Sequence, residues 1–142
     1  MINSYTILYI DDDFDDLELI SEAFLHYTSD IKVIQAYNGK LGIDLLERME
    51  LSNHLPCLII LDINMPVMDG KETLKLLKTT DRFKNIPVIV FSTSKGEKDK
   101  QFAEKWGADF IPKPVSYKNL EGLVKEFVER CEFNVEARSS KQ

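Results

Sequence analysis

The sequence has few cysteines and lacks long apolar runs. Only two of its 142 residues are cysteine, and its longest apolar runs, CLIIL and VIVF, are far shorter than the ~18 residues that a membrane helix needs. No basic segment precedes an apolar stretch at the start, so no secretory signal is predicted. Because disulfides are rare in a reducing cytosol, we expect Cys57 and Cys131 to be buried packing thiols of a cytoplasmic protein.

Positive charge is scarce in the first half of the chain. Residues 1–70 hold 3 Lys and Arg against 13 Asp and Glu, whereas residues 71–113 hold 10 against 6. With a net charge of −6, the chain lacks the basic surface that nucleic acid requires, so no nucleic-acid partner is expected. The acidic half favours a bound cation, and the basic middle is either a solvated face or a surface for an acidic partner.

Length and apolar pattern predict one α/β domain. Single domains typically span about 100–200 residues. Five short runs rich in β-branched and aromatic residues predict strands, and the central three lack polar alternation, as in strands that are buried on both faces of a parallel sheet. The predicted strands are YTILYI (5–10), IKVIQA (31–36), CLIILD (57–62), PVIVF (87–91) and DFI (109–111).

Segments with helical spacing separate the strands. The first begins after Asp13, the last carries an apolar stripe that ends at Cys131, and three shorter ones span 40–51, 71–79 and 97–106. The result is a (βα)5 fold, a doubly wound parallel five-stranded sheet of the flavodoxin-like type. We expect a domain over 1–132 and a frayed polar tail over 133–142, with MPVMDG (65–70) as a loop that contains Pro66 and Gly70.

Ligands of doubly wound sheets bind at the carboxyl ends of the strands. Asp11, Asp12 and Asp62 are expected there together. Three carboxylates repel one another unless a cation lies between them, and Mg²⁺ prefers oxygen ligands. Asp62 ends a buried strand and can act as a nucleophile toward phosphorus. Two further residues at this edge, Ser92 and Lys113, supply the hydroxyl and the cation that a phosphoryl transition state requires.

The acids that follow Asp12 have a simpler interpretation. Asp13 has the position of a helix N-cap, and Asp15 and Asp16 fall in the first turn, where the helix dipole favours negative charge. We therefore assign them to the helix terminus. Whether Asp13 also joins the metal site stays open from the sequence.

Four motifs together resemble the receiver domain of two-component response regulators, in particular the stand-alone, chemotaxis-regulator-like type. Their order and spacing agree with that family over about residues 4–131. The motifs are ILYIDDD (7–13), LIILDINMPVMDG (58–70), PVIVFSTS (87–94) and GADFIPKP (107–114).

The resemblance implies a role for each matching residue. Asp62 is the expected phosphoacceptor, and Asp11 and Asp12 are the acidic pair, with Asp12 the direct Mg²⁺ ligand. The backbone carbonyl of Asn64 completes the metal site. Ser92 and Lys113 are expected to contact the phosphoryl group. As further implied features, Ser92 and Phe110 form the conformational switch, and Pro114 follows a cis peptide bond that aims Lys113 inward.

The implied function is a switch. A histidine kinase or a histidine phosphotransfer protein donates the phosphoryl group, and a face formed by 96–131 contacts a downstream protein or passes the group onward. The active form is a monomer or a phosphorylation-dependent dimer. The chain assists its own modification but is not an enzyme with a separate substrate.

Two alternatives remain. One is a phosphatase of the haloacid dehalogenase type, which needs an acid where this chain has Asn64. The other is a receiver-like scaffold that binds partners without phosphorylation.

Overall fold

The computed structural model describes residues 5–65, 68–93 and 96–139, with side chains as far as Cys131. Five strands alternate with five helices, as predicted. The strands are β1 (Tyr5–Ile10), β2 (Ile31–Ala36), β3 (Leu58–Leu61), β4 (Val88–Ser92) and β5 (Asp109–Pro112). The helices are α1 (Phe14–Tyr27), α2 (Gly39–Leu51), α3 (Gly70–Thr79), α4 (Glu97–Lys105) and α5 (Leu120–Ser139).

All strand pairs are parallel, and the sheet order is β2-β1-β3-β4-β5. The strand order therefore reverses between β1 and β3, and the gap between those two strands is where such folds bind ligands. The predicted flavodoxin-like α/β class is confirmed. Among the described helices, none combines the length and apolarity that crossing a bilayer requires.

The three central strands, β1, β3 and β4, are buried on both faces, and successive side chains of each strand point to opposite sides of the sheet. In β1, Leu8 and Ile10 belong to one core cluster, whereas Ile7 and Tyr9 belong to the other. The first cluster lies beneath α2, α3 and α4, and the second lies beneath α1 and α5. Two packed layers thus hold the sheet rigidly, which fixes the residues at its carboxyl edge.

The prediction of two free thiols is wrong, because Cys57 and Cys131 form a disulfide. Cys57 immediately precedes β3, and Cys131 lies on the face of α5 that packs against the sheet. Their Cα atoms are 5.0 Å apart, within the range that a disulfide spans. The bond therefore joins α5 to the edge of the sheet opposite to the carboxyl ends of the strands.

The prediction of a frayed tail also needs correction, since α5 continues through Ser139. The added segment contains no proline or glycine, and Glu, Ala and Arg within it favour helix. The last three residues lie outside the described part of the chain. So do Pro66 and Val67 of the predicted 65–70 loop, and Ser94 and Lys95 between β4 and α4.

Candidate functional site

The site begins where β1 ends. Asp11 follows β1 directly and is fully buried. The Tyr9 hydroxyl donates a hydrogen bond to Asp11 Oδ2 at 3.1 Å, and the Asp13 amide donates to Asp11 Oδ1 at 3.0 Å. Burial raises the pKa of Asp11 to about 6, although hydrogen bonds from Lys113 and from the Asp13 amide act in the opposite direction. Burial and the Asp11 charge raise the pKa of Tyr9, so its hydroxyl remains a donor.

Three carboxylates meet at this edge. Oxygens of Asp11, Asp12 and Asp62 all lie within 4.8 Å of one another. Asp11 and Asp62 are buried, whereas Asp12 is exposed. Hard oxygen donors gathered at this spacing, with one side open to solvent, fit the preferences of a divalent cation such as Mg²⁺. The three acids that the sequence placed together are therefore together in the structure.

Asp13 has a different task. Its Oδ1 accepts a hydrogen bond from the Asp16 amide at 3.1 Å, and its backbone is extended, as expected of an N-cap. The side chain thereby satisfies one of the free amide groups at the start of α1. This contact supports the cap assignment, and the cluster suited to a metal among the described residues consists of the other three acids.

Lys113 brings positive charge into the acidic cluster. Its Nζ lies 2.7 Å from Asp11 Oδ2, 2.7 Å from Asp16 Oδ2 and 3.7 Å from Asp62 Oδ2. Burial acts to lower the pKa of Lys113, but the hydrogen bonds to Asp11 and Asp16 and the charges of Asp11 and Asp62 outweigh burial and raise that pKa. The lysine is therefore a permanent cation beside Asp62.

The expected cis peptide before Pro114 is wrong, because all described peptide bonds are trans. The position of Lys113 has another cause. Its amide donates to the Ser92 carbonyl at 2.8 Å, which continues the pairing of β4 and β5, and its ammonium is held by two carboxylates. Strand pairing and ion pairs direct the lysine inward with the ordinary trans bond, which X-Pro sequences favour by about 0.5–1 kcal/mol.

The other predicted residues have different surroundings. Ser92 is fully buried at the end of β4. Asn64 is exposed, and its backbone N–H donates a hydrogen bond to Asp62 Oδ1 at 3.4 Å. Phe110 lies on β5, is paired in register with Val90, and packs half-buried against the cluster under α4. Of the predicted residues, Asp11, Asp12, Asp62 and Lys113 are those whose charged groups the structure brings together.

The loop after β3 depends on one glycine. The Gly70 amide donates to the Ile63 carbonyl at 2.8 Å. A Cβ atom at Gly70 would lie 2.2 Å from the Asp62 carbonyl oxygen and 2.4 Å from Ile63 Cα. The start of α3 therefore packs directly against the backbone of the acidic loop, and only glycine permits this approach.

Sequence reasoning missed two residues of the site, Asp16 and Tyr117. Asp16 Oδ2 accepts from Lys113, and Asp16 Oδ1 accepts from the Tyr117 hydroxyl at 3.1 Å. Burial and the charge of Asp16 raise the pKa of Tyr117. A signal was present in the spacing: Asp16 precedes the buried Ile20 and Phe24 at intervals of four, so it lies on the inward face of α1.

Comparison with known proteins identifies the domain independently of the geometry of the site. The family model of the response regulator receiver domain matches residues 7–125. The crystal structure of the phosphorylated cyanobacterial phytochrome response regulator RcpA is 30% identical, and the match covers 89% of this chain and 92% of that chain with a TM-score of 0.81. The Mn(2+)-bound form of response regulator Rcp1 is also 30% identical, with coverages of 87% and 91% and a TM-score of 0.75.

Longer proteins carry a similar segment. A protein-glutamate methylesterase/protein-glutamine glutaminase 1 of Methanosarcina mazei is 35% identical over 123 residues, which is 84% of this chain. The chain spans only 32% of the length of that relative. The similarity therefore concerns the domain described above, and the methylesterase activity in that name is a property of the longer protein.

Proposed function

The chain belongs to the response regulator receiver domain family, and we propose that it is a phosphorylation switch whose acceptor is Asp62. One observation carries this proposal: Asp62 is a buried carboxylate at the end of β3, 3.7 Å from the Lys113 ammonium and within 4.8 Å of two further acids. Such a carboxylate directly follows a buried strand, lies beside the exposed Asp12, and faces a permanent cation. These are the conditions for nucleophilic attack on phosphorus.

A divalent cation fits the same residues, and Mg²⁺ is the proposed one. Carboxylate oxygens of Asp11, Asp12 and Asp62 and the backbone carbonyl of Asn64 are its proposed ligands. The relative Rcp1 was solved in an Mn(2+)-bound form, which supports a cation at an acidic site of this fold. When bound, the cation neutralises negative charge on the transferred group.

The residues of the chain have separate tasks during transfer. A carboxylate oxygen of Asp62 forms a bond to phosphorus, while the bond between phosphorus and the donor imidazole nitrogen breaks and the imidazole leaves. Lys113 stabilises the charge that spreads over the phosphoryl oxygens. The buried Ser92 hydroxyl donates to one of those oxygens. The chain thus assists its own phosphorylation, and later the hydrolysis of the phosphoryl group from Asp62, without processing a separate substrate.

The response to phosphorylation runs through β4 and β5. The Lys113 backbone amide already donates to the Ser92 carbonyl at 2.8 Å. Movement of either residue is therefore expected to displace the other. Phe110 lies on β5, three residues before Lys113, which directly follows that strand, and Phe110 is half-buried. We propose that the phosphoryl group draws Ser92 and Lys113 toward itself, that Phe110 turns inward, and that the face over 96–131 changes shape.

The proposed phosphodonor is a histidine kinase or a histidine phosphotransfer protein, and the proposed output is a protein contact of the 96–131 face or onward transfer. The proposed location is the cytoplasm. The disulfide between Cys57 and Cys131 is unusual for a reducing compartment. Trapping of thiols with an alkylating reagent in intact cells measures its state there.

Intact mass spectrometry tests the acceptor. The protein is incubated with acetyl phosphate and Mg²⁺, with a chelator in a parallel sample, and next to the Asp62→Asn variant. This variant keeps the shape of the side chain but lacks the nucleophilic carboxylate. We expect one added phosphoryl group that needs Mg²⁺, is removed by hydroxylamine, and is missing from Asp62→Asn.

The same experiment separates the alternatives. If Asp62→Asn is labelled at the same stoichiometry as the wild type, the acceptor is another residue. Absence of both labelling and Mg²⁺ binding favours a scaffold that binds partners without phosphorylation. A phosphatase of the haloacid dehalogenase type is disfavoured, because Asn64 stands where that mechanism needs a second acid.

A further inference from the structure

Asp16 makes two contacts that its place in the first turn of α1 does not require. One carboxylate oxygen, Oδ2, accepts from Lys113 Nζ at 2.7 Å, and the other, Oδ1, accepts from the Tyr117 hydroxyl at 3.1 Å. The side chain of Asp16 is only 15% exposed. Its neighbour Asp15 is exposed. A carboxylate that serves only the helix dipole needs neither burial nor specific partners.

The contacts of Lys113 show what Asp16 achieves. An ammonium group has three N–H donors and no acceptor. Two of these donors are used at 2.7 Å, by Asp11 and by Asp16. Asp62 Oδ2, at 3.7 Å, is within ion-pair distance but beyond a hydrogen bond. Two anchors therefore fix the ammonium on one side, and one donor remains for an oxygen placed on Asp62.

Tyr117 fixes Asp16 in turn. It lies four residues after Lys113, so one carboxylate holds both ends of the short segment that follows β5. The Tyr117 hydroxyl keeps the Asp16 carboxylate from rotating, because each carboxylate oxygen then has a different partner. Asp16 thereby ties α1 to the segment between β5 and α5, and the location of the Lys113 ammonium depends on that tie.

We propose that Asp16 is a positioning residue, which with Tyr117 holds the Lys113 ammonium so that one of its donors faces the phosphoryl group on Asp62. This inference rests on the proposed acceptor role of Asp62. It assigns no contact between Asp16 and the phosphoryl group. Loss of Asp16 leaves Lys113 with one anchor, and the ammonium then samples positions from which it stabilises the transition state less well.

Three variants test the role. Asp16→Asn removes the charge that holds Lys113. Asp15→Asn makes the same change of charge on the same helical turn at an exposed side chain. Tyr117→Phe removes only the hydroxyl and changes no charge. The initial rate of phosphorylation is measured by intact mass at several concentrations of acetyl phosphate and of Mg²⁺, and thermal unfolding confirms that each variant is folded.

We expect the maximal rate of Asp16→Asn to be about tenfold lower than that of Asp15→Asn, since displacement of a catalytic group by about 1 Å costs up to 100-fold. The Mg²⁺ concentration at half-saturation is expected to agree between these two variants within about twofold, because Asp16 is outside the proposed metal ligands. Tyr117→Phe is expected to lower the maximal rate in the same direction, by about twofold to threefold.

A second readout does not depend on phosphorylation. In the ¹⁵N NMR spectrum of the lysine side chains, the Lys113 ammonium signal is assigned by its loss in Lys113→Arg. Its protons should exchange slowly with water in the wild type and in Asp15→Asn, and rapidly in Asp16→Asn. A purely structural role of Asp16 predicts no such difference between two folded variants.

The outcomes separate the inference from the function on which it rests. If the wild type is labelled and Asp16→Asn matches or exceeds Asp15→Asn in rate, Asp16 does not position the lysine. Unchanged exchange of the Lys113 protons in Asp16→Asn also overturns the inference. If neither the wild type nor Asp15→Asn is labelled on Asp62, the proposed phosphoacceptor function itself fails.

Discussion

Protonation of Asp11 should control how Mg²⁺ binding depends on pH. Burial raises the pKa of this carboxyl group to about 6, and only the ionised group attracts a cation. Affinity should therefore be constant well above pH 6 and fall as the pH drops through that value. With a pKa of about 6, about a tenth of the group is ionised at about pH 5, so the apparent affinity is about tenfold lower there than at about pH 8.

The same shift predicts the pH dependence of stability without metal. The folded state holds the Asp11 proton up to about pH 6, whereas the unfolded chain releases it near the ordinary value of 3.8. Between these values the folded state binds more protons, so the free energy of unfolding decreases as the pH rises, by about 3 kcal/mol in all. Bound Mg²⁺ should recover part of this loss, because it neutralises the buried carboxylate.

Calorimetric titration of Mg²⁺ between about pH 4.5 and 8 measures the effect. Tyr9→Phe removes the hydroxyl that donates to Asp11 Oδ2, and Lys113→Met removes the cation whose hydrogen bond lowers the pKa of Asp11. Both variants should shift the midpoint of the titration to higher pH. The reasoning is refuted if affinity stays constant to about pH 5 and declines only near the ordinary carboxyl pKa of about 4, or if neither variant moves the midpoint.

Two further predictions concern stability and the acidic loop. Reduction of the disulfide, which joins residues 74 positions apart, should lower the free energy of unfolding by about 4 kcal/mol, because the unfolded chain regains conformational freedom. Denaturant titrations with and without reductant measure this difference. An equal midpoint in both titrations would contradict the prediction. Gly70→Ala should slow the phosphorylation of Asp62 and destabilise the fold by about 1–3 kcal/mol, because a Cβ there overlaps the Asp62 backbone. Gly122→Ala on α5, where the three atoms nearest to a Cβ all belong to the Asn119 side chain, is the control, and equal phosphorylation rates in the two variants would argue against the close approach.

The sequence was sufficient to predict the sheet and most of its carboxyl edge. Unbroken apolar runs such as LIIL of β3 occur when a strand is covered on both faces, and the gathering of Asp11, Asp62 and Lys113 follows from parallel strands. The distances between these side chains did not follow. They depend on how the loops after the strands close, as at Gly70, where packing against the Asp62 carbonyl decides the path.

Other features depend on competing interactions and on the path of the chain, neither of which a sequence pattern shows. The helix dipole and a specific ion pair both place an acid in a first helical turn, so only the spacing of four from Asp16 to the buried Ile20 and Phe24 distinguishes Asp16 from Asp15. The disulfide depends on how α5 lies across the sheet, since its cysteines are distant in the chain. The trans bond before Pro114 reflects a small energy difference between isomers that neighbouring contacts can reverse.

The contributions to the acidic site come from distant parts of the chain. Lys113 and Asp11 are separated by 102 positions in sequence, and Asp62 reaches them from a strand that lies between β1 and β4 in the sheet. No fragment of the chain contains all three residues without nearly the whole fold between them. Chains that are truncated or incompletely folded should therefore lose cation binding and phosphorylation together. Competence for phosphorylation is in this way also a check of complete folding, and a partly synthesised or damaged copy cannot consume the phosphoryl groups that the signal requires.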